Sequence, residues 1–399
     1  MIPRHLAAVL KKSAAKYPVV TVTGPRQSGK TTLVRSLFRN HEYVSLEAPD
    51  TRDFAIEDPR GFLNQYSGGV VLDEVQRAPN LLSYIQGIVD ARNAPGQFVL
   101  TGSQNLMLLE QVSQSLAGRT SIYHLLPFTR AELEGRGPIS LEKIGRCTQR
   151  KSPPGRDNLF SVLFKGFYPR IHDQKLDPQD WLRNYYLSYL ERDVRTIINV
   201  GDVETFGRFV RLCAGRSGQL LNLSSLGADC GVSHATARRW LSVLEASFIV
   251  YLLRPHHRNF SKRLVKSPKL YFLDTGLLCY LLRIRSKDEL VTHSSRGAVF
   301  ETLVLTELVK TLLNQGLEPD LYFWRDSTGH EVDLIVERGR ELIPVEIKSG
   351  ETIAGDYFKG LEYWRTLPGQ EECPALLVFG GETSVKRRDI SVCSWRHWP

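Results

Sequence analysis

Short apolar, β-branched runs alternate with stretches of helical period through the first third of the chain, the pattern of an α/β fold. Arg4 to Lys16 reads as an amphipathic helix that Pro18 ends. A strand opens at Val19, a helix runs from Thr31 to Phe38, and further strands are predicted at Tyr43–Leu46, Val70–Leu72, Phe98–Gly102 and Ser121–Leu125. From Pro127 the period turns helical and stays so, with interruptions, to about Leu212. Within that stretch Gly135 to Gly155 is polar and rich in Gly, Pro, Lys and Arg, which predicts an exposed loop. The aromatic residues of Trp181 to Ile197 repeat at helical spacing, and core packing is their default explanation.

Leu221 to Ile249 reads as a helix-turn-helix: a first helix from Leu223 to Cys230, a turn at Gly231-Val232, and a second helix capped by Ser233. Gly227 interrupts the first helix, where glycine costs about 1 kcal/mol against alanine. The second helix offers His234, Thr236, Arg238 and Arg239 to a phosphate or base edge, although such a unit also serves as a packing or protein-contact module. A hairpin follows, with His256, His257, Arg258, Lys262, Arg263, Lys266 and Lys269 as a basic wing suited to a nucleic-acid track. Beyond it, Gly297 to Val309 is a helix with Glu301 near its start. Glu331–Val336 and Glu341–Lys348 form a β-hairpin around Arg338-Gly339-Arg340.

Composition narrows the class. The 399 residues exceed one small core, so two to four domains are expected. A 42% hydrophobic and 24% charged content is that of a folded, soluble chain. No apolar stretch approaches the ~20 residues of a membrane span, and the first residues lack a signal-peptide core, so a cytoplasmic protein with no membrane partner is expected. The six cysteines are far apart without a C-x-x-C pair, which argues against a zinc or redox motif. A net charge of +9 makes a polyanionic partner such as DNA plausible.

The first candidate chemistry lies between the opening strand and its helix. Gly24, Pro25, Arg26, Gln27, Ser28, Gly29, Lys30, Thr31 and Thr32 contain G-x-x-x-x-G-K-[ST], a loop whose backbone N–H groups wrap phosphate while Lys30 reaches the β- and γ-phosphates of ATP. Thr31 is then a ligand of Mg²⁺. The run Val70-Val71-Leu72 ends in Asp73 and Glu74, the first placed to hold Mg²⁺ and the second to polarise the attacking water. After Phe98–Gly102, Ser103 is the first choice and Gln104 the second for a group sensing the γ-phosphate; a helix N-cap explains Ser103 or Asn105 nearly as well. Arg119 is a candidate arginine finger, acting in its own subunit or in a neighbour of a homo-oligomer, with a surface salt bridge as the competing reading.

A second set lies near the C-terminus. Glu346 and Lys348 share one strand face, and Asp333 on the partner strand can join them. Two carboxylates beside a lysine, with Glu301 from a helix, are what Mg²⁺-dependent phosphodiester hydrolysis needs. This D…E-x-K arrangement resembles the PD-(D/E)XK, or restriction-endonuclease-like, superfamily. The resemblance implies that Asp333, Glu346 and Glu301 are metal ligands and Lys348 the water-positioning base.

Across the chain, TGPRQSGKTTL, VVLDEVQRAP, FVLTGSQN, SLAGR, YLERDV, SPKLYFLDTGLL, GAVFE, YFWRDSTGHEVDLIV and PVEIKSG resemble the prokaryotic AAA-type ATPases with a C-terminal restriction-endonuclease-like domain. That resemblance implies an α/β chain of four parts: a P-loop ATPase domain with a parallel sheet over 1–126, a helical lid over 127–215, a winged helix over 216–268 and a PD-(D/E)XK nuclease-like domain over 269–399. The expectation is ATP hydrolysis coupled to action on nucleic acid, with a possible DNA-cleaving centre; an ATP-gated switch whose C-terminal domain binds without cutting is the alternative.

Overall fold

The computed structural model describes residues 2–92, 94–102, 112, 115–139, 157–189, 203–256 and 265–399. Among these, β1 (Val19–Thr23), β2 (Glu42–Ser45), β3 (Val70–Asp73), β4 (Phe98–Gly102) and β5 (Thr120–His124) form a parallel sheet in the order β2-β3-β4-β1-β5. Strands β1, β3 and β4 are buried along their whole length. Helices cover both faces, which is why these strands read as apolar runs rather than as alternating ones. Val20, Val22, Val71 and Val99 face α1 (Leu6–Ala14) and α2 (Lys30–Leu37), while Val19, Val70, Leu72 and Leu100 pack with Ile85 and Val89 on the other side.

The helical middle includes Leu159–Lys165, Pro169–Asp173, Pro178–Tyr189 and Val203–Gly215. Its aromatic stripe is core, as expected: Trp181 stacks on Tyr185 with ring centroids 5.2 Å apart, and Tyr168 lies against both. Helices α3 (Leu223–Cys230) and α4 (His234–Ala246) then meet at a tight turn. Asn222 caps the first, and the Ser233 hydroxyl caps the second by accepting the Thr236 N–H at 3.1 Å. Gly227 has a reason to be glycine: a Cβ there would sit 2.8 Å from the Val232 carbonyl oxygen.

Strand β6 (Val250–Pro255) pairs antiparallel with β7 (Lys269–Phe272), and its end at Arg254 and Pro255 pairs in parallel with β8 (Leu321–Arg325). The hairpin is therefore the edge of a mixed sheet ordered β12-β13-β11-β10-β9-β8-β6-β7 among the described residues. The other members are β9 (Glu331–Arg338), β10 (Glu341–Lys348), β11 (Leu376–Phe379), β12 (Val385–Arg387) and β13 (Ile390–Ser394). The boundary expected at residues 268 and 269 falls inside this hairpin. Local periodicity could not reveal it, because the joining of β6 to β8 spans more than sixty residues of chain.

Helix α5 (Arg296–Asn314) is buried over most of its 19 residues. Its Glu307 accepts the Arg130 backbone N–H at 2.6 Å, and its Lys310 ammonium donates to the Phe128 carbonyl at 3.1 Å and to Glu307 at 3.1 Å. The same segment after β5 holds Arg4, whose guanidinium reaches Glu132 at 3.1 Å, the Ser28 carbonyl at 2.8 Å and the Leu126 carbonyl at 2.6 Å. One chain of polar contacts thus runs from the Gly-rich loop to α5.

Candidate functional site

The Gly-rich loop joins the C-terminal end of β1 to the N-terminus of α2. Gly24 has φ +147°, and a Cβ there would lie 2.2 Å from the Leu125 carbonyl oxygen, so the loop can begin only with glycine. Lys30 is 5% exposed, and its ammonium donates to the carbonyls of Gly24 at 2.9 Å and Pro25 at 2.8 Å. The Ser28 hydroxyl is buried without a hydrogen-bond partner. The Thr31 hydroxyl donates to Asp73 Oδ2 at 2.9 Å, and the Tyr43 hydroxyl donates to the same oxygen at 2.7 Å. The Thr101 hydroxyl donates to Asp73 Oδ1. Burial and the neighbouring Asp73 carboxylate push the Tyr43 phenol up to about 12, so it stays a neutral donor. Glu74 follows in the left-handed region with φ +57° and receives the Gln76 side-chain amide. Such a conformation at a non-glycine residue costs on the order of 1 kcal/mol or more and turns the side chain off the strand line.

A cleft of about 890 Å³ opens over this loop, lined by Arg26, Gln27, Lys30, Thr32, Glu74 and Arg170 among others. Thr31, Glu47 and Tyr185 also line it, so the aromatic stripe of the helical middle serves both core and cleft. Sequence reasoning missed Arg4, Tyr43, Thr101 and Arg170. Tyr43 and Thr101 carried the only available signal, a polar residue within a predicted strand.

Of Ser103 and Arg119, only Arg119 lies among the described residues. Ser103, like Gln104 and Asn105, lies outside the described residues. Arg119 does not reach the phosphate loop of its own subunit: it precedes β5, whose Thr120 pairs with Val19 at the start of β1, whereas the loop leaves the far end of that strand about 13 Å away. Its guanidinium grips Asp90 at 2.5 and 3.0 Å. Within its own subunit, Arg119 makes the surface salt bridge of the competing reading.

The C-terminal centre gathers Glu301 from α5, Asp333 and Glu331 from β9, and Glu346 and Lys348 from β10. Asp333 Oδ2 accepts the Ile347 N–H at 2.8 Å and lies 3.5 Å from the Lys348 ammonium, which also pairs with Glu346 Oε1 at 2.5 Å. Glu346 Oε2 is buried with no hydrogen-bond partner. Burial and the adjacent Asp333 push the Glu346 carboxyl up to about 8. Burial likewise raises Glu301, against the pull of Lys269.

Lys269 is the correction here. Assigned from the sequence to an exposed basic wing, it is 3% exposed and inserted among the acids, 2.5 Å from Glu331, 3.4 Å from Glu301 and 4.0 Å from Asp333. Tyr271, two residues on and therefore on the same strand face, donates to Glu301. Burial alone would lower the Lys269 ammonium, but the carboxylates of Glu301, Asp333 and Glu331 outweigh it and hold it above the usual lysine range. Among the described residues no three His, Cys, Asp or Glu side chains converge closely enough to hold a metal ion. Glu301, Asp333 and Glu346 as a joint metal-ligand set therefore do not fit this arrangement, because ammonium groups stand between them. Of the remaining wing, His256 is also buried, 3.6 Å from Glu337, and Lys266 is exposed. His257, Arg258, Lys262 and Arg263 lie outside the described residues. On α4, His234, Arg238 and Arg239 are exposed and Thr236 is half-buried.

With its Gly-rich turn, buried Asp73 and β2-β3-β4-β1-β5 order, the N-terminal third has an AAA-family P-loop ATPase domain: residues 16–134 match the family described as AAA domain. Residues 156–288 and 296–398 match two domains of unknown function, DUF8612 and DUF4143. Over 350 residues the chain is 33% identical to the uncharacterized protein Rv2008c of Mycobacterium tuberculosis and to the uncharacterized protein Mb2031c of Mycobacterium bovis, an alignment covering 88% of this chain and 74% of each relative. The chain belongs to the family of these proteins; in this chain the AAA domain is followed by the two domains of unknown function. Among solved structures it is similar to the Walker-type ATPase PABY2304 of Pyrococcus abyssi, with a TM-score of 0.45 and 13% identity over 71% of this chain and 96% of that one. It is also similar to AMPPCP-bound DnaA from Aquifex aeolicus, with a TM-score of 0.28 and 15% identity over 60% of this chain and 84% of that one. Among the described residues no helix is long and apolar enough to cross a membrane.

Proposed function

We propose that this protein binds and hydrolyses ATP in the cleft above the Gly-rich loop and uses the cycle to act on nucleic acid through its C-terminal half. The observation that carries the first part is the Thr31–Asp73 contact at 2.9 Å with Glu74 next in sequence and in the same cleft as Lys30. Lys30 binds the β- and γ-phosphates in exchange for its two carbonyl contacts. Thr31 and Asp73 are the oxygens that would hold Mg²⁺, which supplies charge neutralisation on the phosphates when bound. Tyr43 and Thr101 keep the Asp73 carboxylate oriented, and Glu74 accepts a proton from, or orients, the attacking water.

Support for nucleic acid comes from the exposed Arg238, Arg239 and His234 on a capped helix, from Lys266, and from a net charge of +9. The C-terminal half is read as PD-(D/E)XK nuclease-like, on the juxtaposition of Asp333, Glu346 and Lys348 on neighbouring strands with Glu301 from a helix. One observation favours the second reading, a nuclease-like domain that binds without cutting: the carboxylates are held apart by ammonium groups. The decisive experiment measures ATP turnover with and without single- and double-stranded DNA, scoring nicking in the same tube beside Asp333→Ala. DNA-stimulated turnover with nicking that Asp333→Ala removes supports the cleaving form. DNA-stimulated turnover without nicking supports the binding form, and turnover indifferent to DNA overturns the nucleic-acid assignment.

A further inference from the structure

Arg4 precedes the stretch that matches the AAA domain, yet its guanidinium reaches the phosphate loop. The side chain is 7% exposed, and each nitrogen already donates to the protein: Nε to Glu132 Oε1 at 3.1 Å, Nη1 to the Ser28 carbonyl at 2.8 Å and Nη2 to the Leu126 carbonyl at 2.6 Å. The Phe128 ring lies against it, 4.6 Å away at the centroid. Arg4 lines the cleft, but as a fixed part of its wall. Its anchors are held in turn. Glu132 Oε1 also accepts the His5 N–H at 2.7 Å and the Asn314 side-chain amide of α5 at 3.5 Å, and its Oε2 accepts the Thr129 N–H at 2.9 Å. The segment leaving β5 is tied to β1 by the Leu125 N–H, which donates to the Thr23 carbonyl at 2.8 Å. That segment brackets the loop: the Leu125 carbonyl stands where a side chain on Gly24 would begin, and the Leu126 carbonyl, through Arg4, holds Ser28.

The C=O and N–H of a trans peptide point in opposite directions, so a Ser28 carbonyl fixed on Arg4 turns the Gly29 N–H the other way. N–H groups at a helix N-terminus are what cradle a phosphate. Gly29, with φ +92°, is the N-cap of α2, and glycine gives this peptide freedom to swing unless its carbonyl is held. We propose that Arg4 is a positioning residue of the nucleotide site: anchored on Glu132 and the Leu126 carbonyl, it sets the Ser28–Gly29 peptide so that the Gly29 N–H faces the β-phosphate. The inference rests on the reading of the cleft as an ATP site and adds to it a residue from outside the loop. Arginine is required by shape, because a planar fork serves three acceptors at once, whereas the point charge of a lysine cannot span them.

The test is steady-state ATP turnover by the full-length protein, with KM and kcat measured separately for wild type, Arg4→Lys, Arg4→Ala and Lys30→Ala. Arg4→Ala is also assayed with millimolar guanidinium, an ion of the shape that the substitution removes. An unfolded fraction lowers kcat and leaves KM alone, whereas a misaligned cradle weakens phosphate binding and raises KM. The expected result is a KM about tenfold or more above wild type in both Arg4 variants, with kcat within about threefold, and a KM that guanidinium brings back down in Arg4→Ala. Arg4→Lys keeps the charge and most of the stem, so the comparison survives if Arg4→Ala fails to fold. A wild-type KM in the Arg4 variants, whatever happens to kcat, overturns the inference and leaves the ATP site standing. Absence of Lys30-dependent turnover in the wild-type protein overturns the reading of the cleft, and the inference with it.

Discussion

Lysines occupy both candidate centres, and they are held in opposite ways. In the phosphate loop Lys30 rests on two neutral carbonyls beside an open cleft, contacts that an incoming phosphate can replace at little cost. In the C-terminal centre Lys269 and Lys348 are locked against four acidic side chains, Glu301, Glu331, Asp333 and Glu346. The first is prepared for an anion. The second already contains its cations, and adding another charge there means displacing one that is buried.

The largest effects that test this contrast are on turnover. Lys30→Ala should remove nucleotide binding, and Glu74→Gln should keep binding but lower ATP turnover by roughly 10²–10⁴-fold. Fluorescent-nucleotide binding beside phosphate release separates the two, and near-normal turnover in both would break the assignment of the cleft.

Stability gives the next effect. Lys269→Ala leaves Glu331 and Glu301 without their buried partner and should cost about 3–5 kcal/mol. Lys30→Ala, which removes hydrogen bonds to neutral carbonyls and not ion pairs with carboxylates, should cost less, about 1.5–3 kcal/mol. Urea unfolding of the two variants reads this directly, and equal losses would erase the contrast.

A smaller effect is expected from pH. Burial and the adjacent Asp333 push Glu346 up to about 8, whereas an unfolded glutamate titrates near 4.3. Between those values the folded state binds a proton that the unfolded state has released, so this group makes stability fall as pH rises through that window. Thermal melts from pH 5 to 8.5 should show that slope in wild type and a flatter one in Glu346→Gln. The smallest effect belongs to Arg119→Ala: with its guanidinium on Asp90 at the far edge of the sheet, turnover per chain should stay within about twofold of wild type at any protein concentration. A steep loss would bring back a role in a neighbouring subunit.

Features carried by consecutive residues were legible in the sequence. The strands around the phosphate loop, the two helices of residues 223–246 with the Ser233 cap, and the Arg338-Gly339-Arg340 turn all lie within a residue or two of where periodicity and capping put them. So does the pairing of Asp333 with the Glu346 and Lys348 strand, because an antiparallel hairpin fixes register locally. What the sequence hid depends on distant contacts. Lys269 stands in a run of basic residues and looks like one more of them; only the joining of β6 to β8 turns it inward. Arg4 precedes a plain amphipathic helix, and nothing nearby in the chain announces Glu132 or the Ser28 carbonyl as its partners.

Helix α5 carries Glu301 near its beginning and Glu307, Lys310 and Asn314 toward its end, and the latter three hold the segment that follows β5. The AAA domain is therefore not a removable module. A fragment ending at residue 134 would keep every residue of the phosphate loop, yet Phe128, Arg130 and Glu132 would lose their α5 contacts and meet water where they were shaped for a helix. The N-terminal sheet and the helix bearing Glu301 are expected to melt in one transition, so dissecting this chain by domain would change the very ATPase it set out to isolate.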